Sequence, residues 1–196
     1  MTLEPRTAPS GAAPAATAGT SGATPESFDG IALATLGAAL PTPFHAYSAN
    51  DIRSRIDELQ AALHGLDAMV CFAVKANPNL AILHLMAQAG LGADIVSAGE
   101  MQRSLRAGIP AQRIVFSGVG KTAEEIALAL EAGVARFNVE SLDELETLQR
   151  VARAHGCIAH AAVRINPDVD AGTHQKISTG KSENKFGVDL YQARRW

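Results

Sequence analysis

From residue 49 onward the apolar positions of this chain fall into two alternating rhythms. In the first, Ile52, Ile56, Leu59 and Leu63 recur at helical spacing and predict one apolar stripe, with Ser48 or Asn50 available as the cap. In the second, Met69 to Val74 is a continuous apolar run of the kind found in strands of a parallel sheet. The same reading predicts further helices near 79–89, 98–107, 122–132 and 141–155, and further strands near 93–96, 113–116, 135–139 and 159–165. Gly65, Gly90, Gly108, Gly133 and Gly156 stand where those helices are expected to end. A strand therefore recurs every 20 to 24 residues, which is the period of a right-handed βα repeat.

Two architectures use that repeat, an open doubly wound sheet and a closed (β/α)8 barrel. The barrel is favoured, because no Gly-x-Gly-x-x-Gly follows the first strand and polar groups occur after several successive strands instead of at one switch point. Met69 to Trp196 is 128 residues, whereas a whole barrel takes roughly 250. The expected fold is thus α/β, a partial TIM barrel of about five strands with the intervening helices, which the chain leaves before the barrel closes.

Composition narrows the function. The chain has 196 residues, 47% hydrophobic and 19% charged, enough for one substantial core. A net charge of −3 and 5% aromatics give no footprint for nucleic-acid binding. Cys71 and Cys157 lack any paired spacing, so no disulfide or zinc framework is expected, and the scattered histidines, nearest at His155 and His160, predict no metal site. Residues 1–27 are rich in Ala, Pro, Thr, Ser and Gly and are expected to be a disordered tail without the features of a secretory signal. No apolar run approaches the roughly 20 residues that cross a bilayer, so a soluble, cytoplasmic protein is expected.

Several residues carry candidate chemistry. Lys75 ends the first strand and is followed by Ala76, Asn77 and Pro78, which places an amine at the end of the sheet where such folds do their chemistry. Partly desolvated there, it is a candidate nucleophile toward a carbonyl; an ordinary solvated lysine is the alternative. Asp94 lies inside the second strand, where a carboxylate is costly unless it meets a cation or donors, and Lys75 on the neighbouring strand is the expected partner. Arg164, at the end of the fifth strand, is placed either to neutralise an anion or to sit in solvent. The stretch from Ser117 to Thr122 looks like half a phosphate-binding loop, but the first glycine of that motif is replaced by Val115, so a βα turn capped by Thr122 is the simpler reading. Thr122 with Glu125, Ser97 with Glu100, and Ser141 with Glu144 each have capping-box spacing. Glu100 therefore has a structural and a functional reading, and the sequence leaves both open.

As a set these residues are more specific. The stretch Phe72 to Asn77 resembles the pyridoxal-phosphate attachment segment of the group IV decarboxylases, which have an alanine-racemase-like barrel. The resemblance continues through GADIVSAGE (92–100), RIVFSGVGKT (113–122), FNVESLDEL (137–145), RINPDVDAGTH (164–174), ISTG (177–180) and KFG (185–187), and covers nearly everything from Pro41 to Leu190. The attachment segment and KFG are shared across that group, whereas RINPDVDAGTH with ISTG resembles the diaminopimelate decarboxylase branch.

The resemblance implies a pyridoxal 5'-phosphate enzyme whose Lys75 carries the cofactor as a Schiff base. It further implies Asp94 and Glu100 near the lysine amine, Arg164 near the cofactor, and an amino acid as substrate. The implied reaction is decarboxylation of meso-2,6-diaminopimelate to L-lysine. Ornithine, arginine or carboxynorspermidine decarboxylases, or a non-catalytic cofactor binder, are the alternatives. In that family, Thr42 to Tyr47, within a segment spanning 28–48, associates with a C-terminal β domain, and full-length members are homodimers. The family's cofactor-stacking histidine, its glycine-rich phosphate loop and that β domain would all follow Gly187. Residues 49–196 are therefore expected to be an incomplete cofactor-binding barrel, a fragment inactive alone.

Overall fold

A computed structural model describes residues 27–166 and 187–195. Most of the N-terminal tail, the run from Pro167 to His174, the ISTG stretch and Lys185 with Phe186 therefore lie outside the described residues. The chain divides into two compact units, residues 1–48 and 49–196. In the first, strands β1 (Ser27–Phe28) and β2 (Ile31–Ala32) form a short antiparallel pair, and helix α1 (Leu33–Ala39) follows directly.

The second unit is built as α2 (Ala49–Ala62), β3 (Cys71–Ala73), α3 (Leu80–Gln88), β4 (Gly92–Ile95), α4 (Ala98–Arg106), β5 (Ile114–Phe116), α5 (Ala123–Ala132), β6 (Arg136–Val139), α6 (Leu142–Ala154) and β7 (Ala161–Val163). Strands β3 to β7 pair in parallel and in sequence order, β3-β4-β5-β6-β7. An unreversed order means that every right-handed crossover lays its helix on the same face, which is the winding of a (β/α)8 barrel and excludes a doubly wound sheet. The helices accordingly touch their neighbours in turn, α2 on α3, α3 on α4, α4 on α5 and α5 on α6.

All five glycines expected to end helices take φ between 65° and 98°. At Gly133 the left-handed residue directly closes α5, returning its N–H to the Ala129 and Leu130 carbonyls. Asn79, Ser97, Thr122 and Ser141 cap α3 to α6, each with a side-chain oxygen that accepts a backbone N–H of the first turn.

The two faces of the sheet differ in kind. Side chains toward the helices are the core: Val74, Ala93, Ile95, Ile114, Phe116, Phe137 and Val139 are all at most 1% exposed. Phe116 and Phe137 stack across β5 and β6 with centroids 6.0 Å apart. Because strand side chains alternate, the residues between them face the other way. That face carries Asp94, Ser117, Asn138 and, one step past the strands, Glu140 and Arg164.

Three details depart from the sequence expectation. The apolar run 69–74 is strand only over Cys71–Ala73, because Val74–Ala76 turns into a single 3₁₀ turn. Leu59 is 46% exposed although it shares the helical stripe of Ile56, since α2 packs chiefly on α3 and only part of its stripe is covered. The fifth strand, expected over 159–165, breaks at Arg164: β7 pairs with β6, whereas β8 (Ile165–Asn166) pairs in parallel with β9 (Val188–Asp189), which leads into α7 (Leu190–Ala193).

Candidate active site

At the C-terminal ends of β3 to β7, a cavity of about 510 Å³ is lined by Lys75, Asp94, Val96, Ser117, Asn138 and Arg164, with Gly118, Glu140 and others completing the wall. Its size suits a small cofactor or substrate.

Lys75 sits in the 3₁₀ turn after β3, and the turn is anchored by Val74, which is fully buried. The chain beyond it is pinned from two sides. Asn77 accepts the Asn79 N–H at 3.1 Å through Oδ1, and Arg103 of α4 donates to the Pro78 carbonyl at 3.2 Å. The amine itself forms no ion pair or hydrogen bond among the described residues, and Lys75 is exposed. Two expectations are corrected here. The lysine is not desolvated, because the 3₁₀ turn lifts it off the sheet at the cavity wall. Nor does it pair with Asp94.

Asp94 has another partner. Ser117 Oγ on β5's C-terminal side donates to Asp94 Oδ1 at 2.5 Å, and Asn138 Nδ2 on β6 donates to Ser117 Oγ at 3.0 Å. Three adjacent strands thus contribute one polar row that runs across the sheet and ends on a carboxylate. The register places them, since Asp94 pairs with Val115 and Phe116 with Phe137, so Ser117 and Asn138 stand level with each other, two residues beyond Asp94. Beneath the row, Cys71 feels the same carboxylate. Burial first, and Asp94 second, push its thiol above the ordinary range, while Arg113 and Arg136 pull it back.

Glu100 is taken up by the loop. Its carboxylate accepts the Val96 N–H at 2.8 Å, while its own N–H donates to Ser97 Oγ at 3.3 Å. The box expected from Ser97 and Glu100 is therefore displaced by one residue, and it fixes Val96, a cavity wall residue, without placing the Glu100 carboxylate on the wall. The same displacement occurs at Ser141, where Glu144 reaches the Glu140 N–H at 3.1 Å; only Thr122 and Glu125 form the reciprocal box.

Arg164 lies on the cavity wall but not free in solvent. Its Nη1 donates to both oxygens of Glu140, at 3.2 and 3.1 Å. The Glu140 side chain is 3% exposed, so this carboxylate depends on its cation. Sequence reasoning missed Glu140, as it missed Ser117 and Asn138. Strand alternation was the available signal, because Glu140 lies two residues beyond Asn138 on the same face. Among the described residues no group of three His, Cys, Asp or Glu side chains is placed to hold a metal, and no helix is long and apolar enough to cross a membrane.

Residues 49–196 match the family model of the pyridoxal-dependent decarboxylases, pyridoxal binding domain. The chain belongs to that family. Among curated relatives, the diaminopimelate decarboxylase of Zymomonas mobilis is 52% identical over 161 residues, which is 81% of this chain and 38% of that protein. The diaminopimelate decarboxylase of Pseudomonas aeruginosa is 50% identical over 84% of this chain and 40% of that protein. Among solved structures, the diaminopimelate decarboxylase of Helicobacter pylori complexed with L-lysine superposes with a TM-score of 0.79 at 46% identity, covering 83% of this chain and 41% of that one. The M. jannaschii diaminopimelate decarboxylase, also in complex with L-lysine, gives 0.76 at 39% identity over 85% of this chain and 40% of that one. The chain thus spans about two fifths of the length of the relatives it matches.

For a pyridoxal-dependent decarboxylase, the cavity has the chemistry that the aldehyde end of the cofactor requires. An amine that has no carboxylate partner among the described residues stands on its wall. The polar row beside it offers a hydroxyl, an amide and a carboxylate. The half phosphate-loop motif, by contrast, does not serve as one, because Lys121 is buried at 1% side-chain exposure and turned into the protein.

Proposed function

We propose that the protein decarboxylates meso-2,6-diaminopimelate to L-lysine and carbon dioxide, with pyridoxal 5'-phosphate held through Lys75. The single observation that carries this reading is the Lys75 amine, without an ion-pair partner among the described residues, on the wall of a cavity at the strand ends, in a chain half identical to diaminopimelate decarboxylases. When bound, pyridoxal phosphate supplies an electron sink for the electrons left behind by the departing carboxylate.

The chain's own residues have distinct tasks in this reading. Lys75 holds the cofactor by its amine, and the clasp on Asn79 and Pro78 keeps that turn in place. Asp94, held by Ser117, presents a fixed hydrogen-bond acceptor on the same cavity wall as the lysine. Glu100 acts at one remove, through Val96. Arg164 is fixed by Glu140 and offers its remaining N–H groups to the cavity. Residues 49–196 form the cofactor-binding part of the barrel, the protein works in the cytoplasm, and the intact enzyme is a homodimer.

Incubating the intact protein with pyridoxal phosphate, reducing with borohydride and mapping peptides tests the lysine. The adduct is expected on the peptide containing Lys75 and is expected to vanish in Lys75→Ala. An adduct confined to another lysine overturns the assignment. Carbon dioxide release from meso-diaminopimelate tests the substrate, and release only from ornithine, arginine or carboxynorspermidine overturns it.

A further inference from the structure

The loop after β5 contains a buried cation that the reaction above does not use. Lys121 follows Gly120 in the half phosphate-loop motif, and its side chain is 1% exposed. An ammonium has three N–H donors, and all three are engaged. They reach the Gly118 carbonyl at 2.7 Å, the Asn138 carbonyl at 2.8 Å and Glu144 Oε1 at 2.5 Å. The Phe116 ring lies 5.6 Å from the same nitrogen.

The three hydrogen bonds each lead to the cavity. Gly118 and Asn138 are wall residues themselves. Glu144 passes the constraint on, since its second oxygen accepts the Glu140 N–H at 3.1 Å, and the Glu140 carboxylate then holds Arg164. The backbone of Arg164 is fixed as well, its N–H donating to the Val139 carbonyl and its carbonyl accepting the Val188 N–H, both at 2.9 Å. Gly187 closes that side: φ is +98°, and a Cβ there would lie 2.8 Å from the Arg164 carbonyl oxygen. Lys121 with Glu144 and Arg164 with Glu140 are two ion pairs, joined through the Glu140 N–H, and their four charges sum to zero. Neutralising Lys121 alone leaves two nearly buried carboxylates facing one part-exposed guanidinium.

We propose that Lys121 is a positioning residue, which through Glu144 and Glu140 sets the place of the Arg164 guanidinium on the cavity wall. The loop after β5, strand β6 and the first turn of α6 are tied to one ammonium. The inference rests on the reading of the cavity as a pyridoxal phosphate site only for its choice of probe.

The test compares Lys121→Met with Lys121→Met/Glu144→Met in the intact protein, by melting temperature, spectrophotometric titration with pyridoxal phosphate, and hydrogen exchange of the Glu140 amide. The single variant is expected to melt lower. The double variant, with no orphaned charge, is expected to regain the melting temperature yet to bind pyridoxal phosphate on the order of tenfold more weakly, the size typical of losing a supporting partner behind a ligand. In an Arg164→Ala background the same pair of changes is expected to cause no further loss of affinity. Recovery of both melting temperature and affinity in the double variant overturns the proposal, as does an undiminished further loss in the Arg164→Ala background. Where the double variant does not fold, Lys121→Met/Glu144→Gln, which also leaves no orphaned charge, replaces it in the same comparison. Should the unaltered protein take up no pyridoxal phosphate at Lys75, the cofactor reading fails on its own. Exchange at Glu140 then decides the positioning role: acceleration in the double variant supports it, and an unchanged rate overturns it.

Discussion

The two faces of the five-stranded sheet contrast more sharply than any two elements of the chain. On the helix side, strand residues are apolar and essentially unexposed, from Val74 on one edge to Val139 near the other. On the opposite side the alternate residues are Asp94, Ser117, Asn138, Glu140 and Arg164, and they meet one another in hydrogen bonds instead of packing. One face holds the fold together through area removed from water, and the other holds functional groups at fixed spacing through directional contacts. Because side chains alternate, a single strand serves both purposes without compromise at any one position.

The largest effect that can break this contrast is on the apolar face. Phe137→Ala removes a side chain that is 1% exposed and stacked on Phe116, and it is expected to destabilise the protein by about 3–5 kcal/mol in urea unfolding. A loss below about 1 kcal/mol would mean that the helix-side layer is not the main source of stability.

Ser117→Ala probes the other face with a smaller cost. Its hydroxyl links Asn138 to Asp94, and all three residues are half-buried, so water compensates part of the loss. The expected destabilisation is about 1 kcal/mol. The rate of pyridoxal phosphate attachment at Lys75 is expected to change more than stability does, because Asp94 is released from its anchor and becomes free to meet the lysine. If Ser117→Ala unfolds the protein as severely as Phe137→Ala, the division of labour between the faces is wrong.

Much of this was legible beforehand, for physical reasons that differ by feature. The βα period and the helix ends depend on local apolar spacing and on glycine, so the elements came out close to their observed places. Lys75, Asp94 and Arg164 were legible as a group because strand ends in a parallel sheet converge, and all three line one cavity. Partner choice was not legible. Asp94 lies beside Lys75's strand in sequence logic, but the 3₁₀ turn takes Lys75 out of the strand, while Ser117 follows β5 and reaches the carboxylate. The three Ser/Thr-x-x-Glu signals looked alike, yet their carboxylates close the box only at Glu125, while Glu100 and Glu144 reach one residue further back. Glu125 also spans two loops, its Oε1 accepting the Ala98 N–H at 2.9 Å. The stretch from Ser117 to Thr122 read as half a phosphate-binding loop or a βα turn, because the burial of Lys121 is a tertiary property that a Gly-Lys-Thr string does not encode.

The smallest effect expected reports directly on the charge of the polar face. Cys71 lies two residue pairs below Asp94 on the same side of the sheet, opposite Gly92 in the register. Its thiol is raised by burial first and by Asp94 second, so at a given pH a smaller fraction is thiolate than in the unfolded chain. The folded form thus retains its proton longer; the associated stability is fully present below the unfolded thiol's range, about pH 8.5, and is lost as pH rises through the raised folded value. Alkylation by iodoacetamide near neutral pH is expected to modify the exposed Cys157 well before Cys71, with the gap narrowing as pH rises. Asp94→Asn removes the electrostatic cause and leaves burial in place, so Cys71 is expected to react faster at the same pH without reaching the rate of Cys157. An unchanged Cys71 rate in a normally folded Asp94→Asn protein would mean that burial alone sets the thiol, and that the carboxylate's field does not extend down the inner face of the sheet.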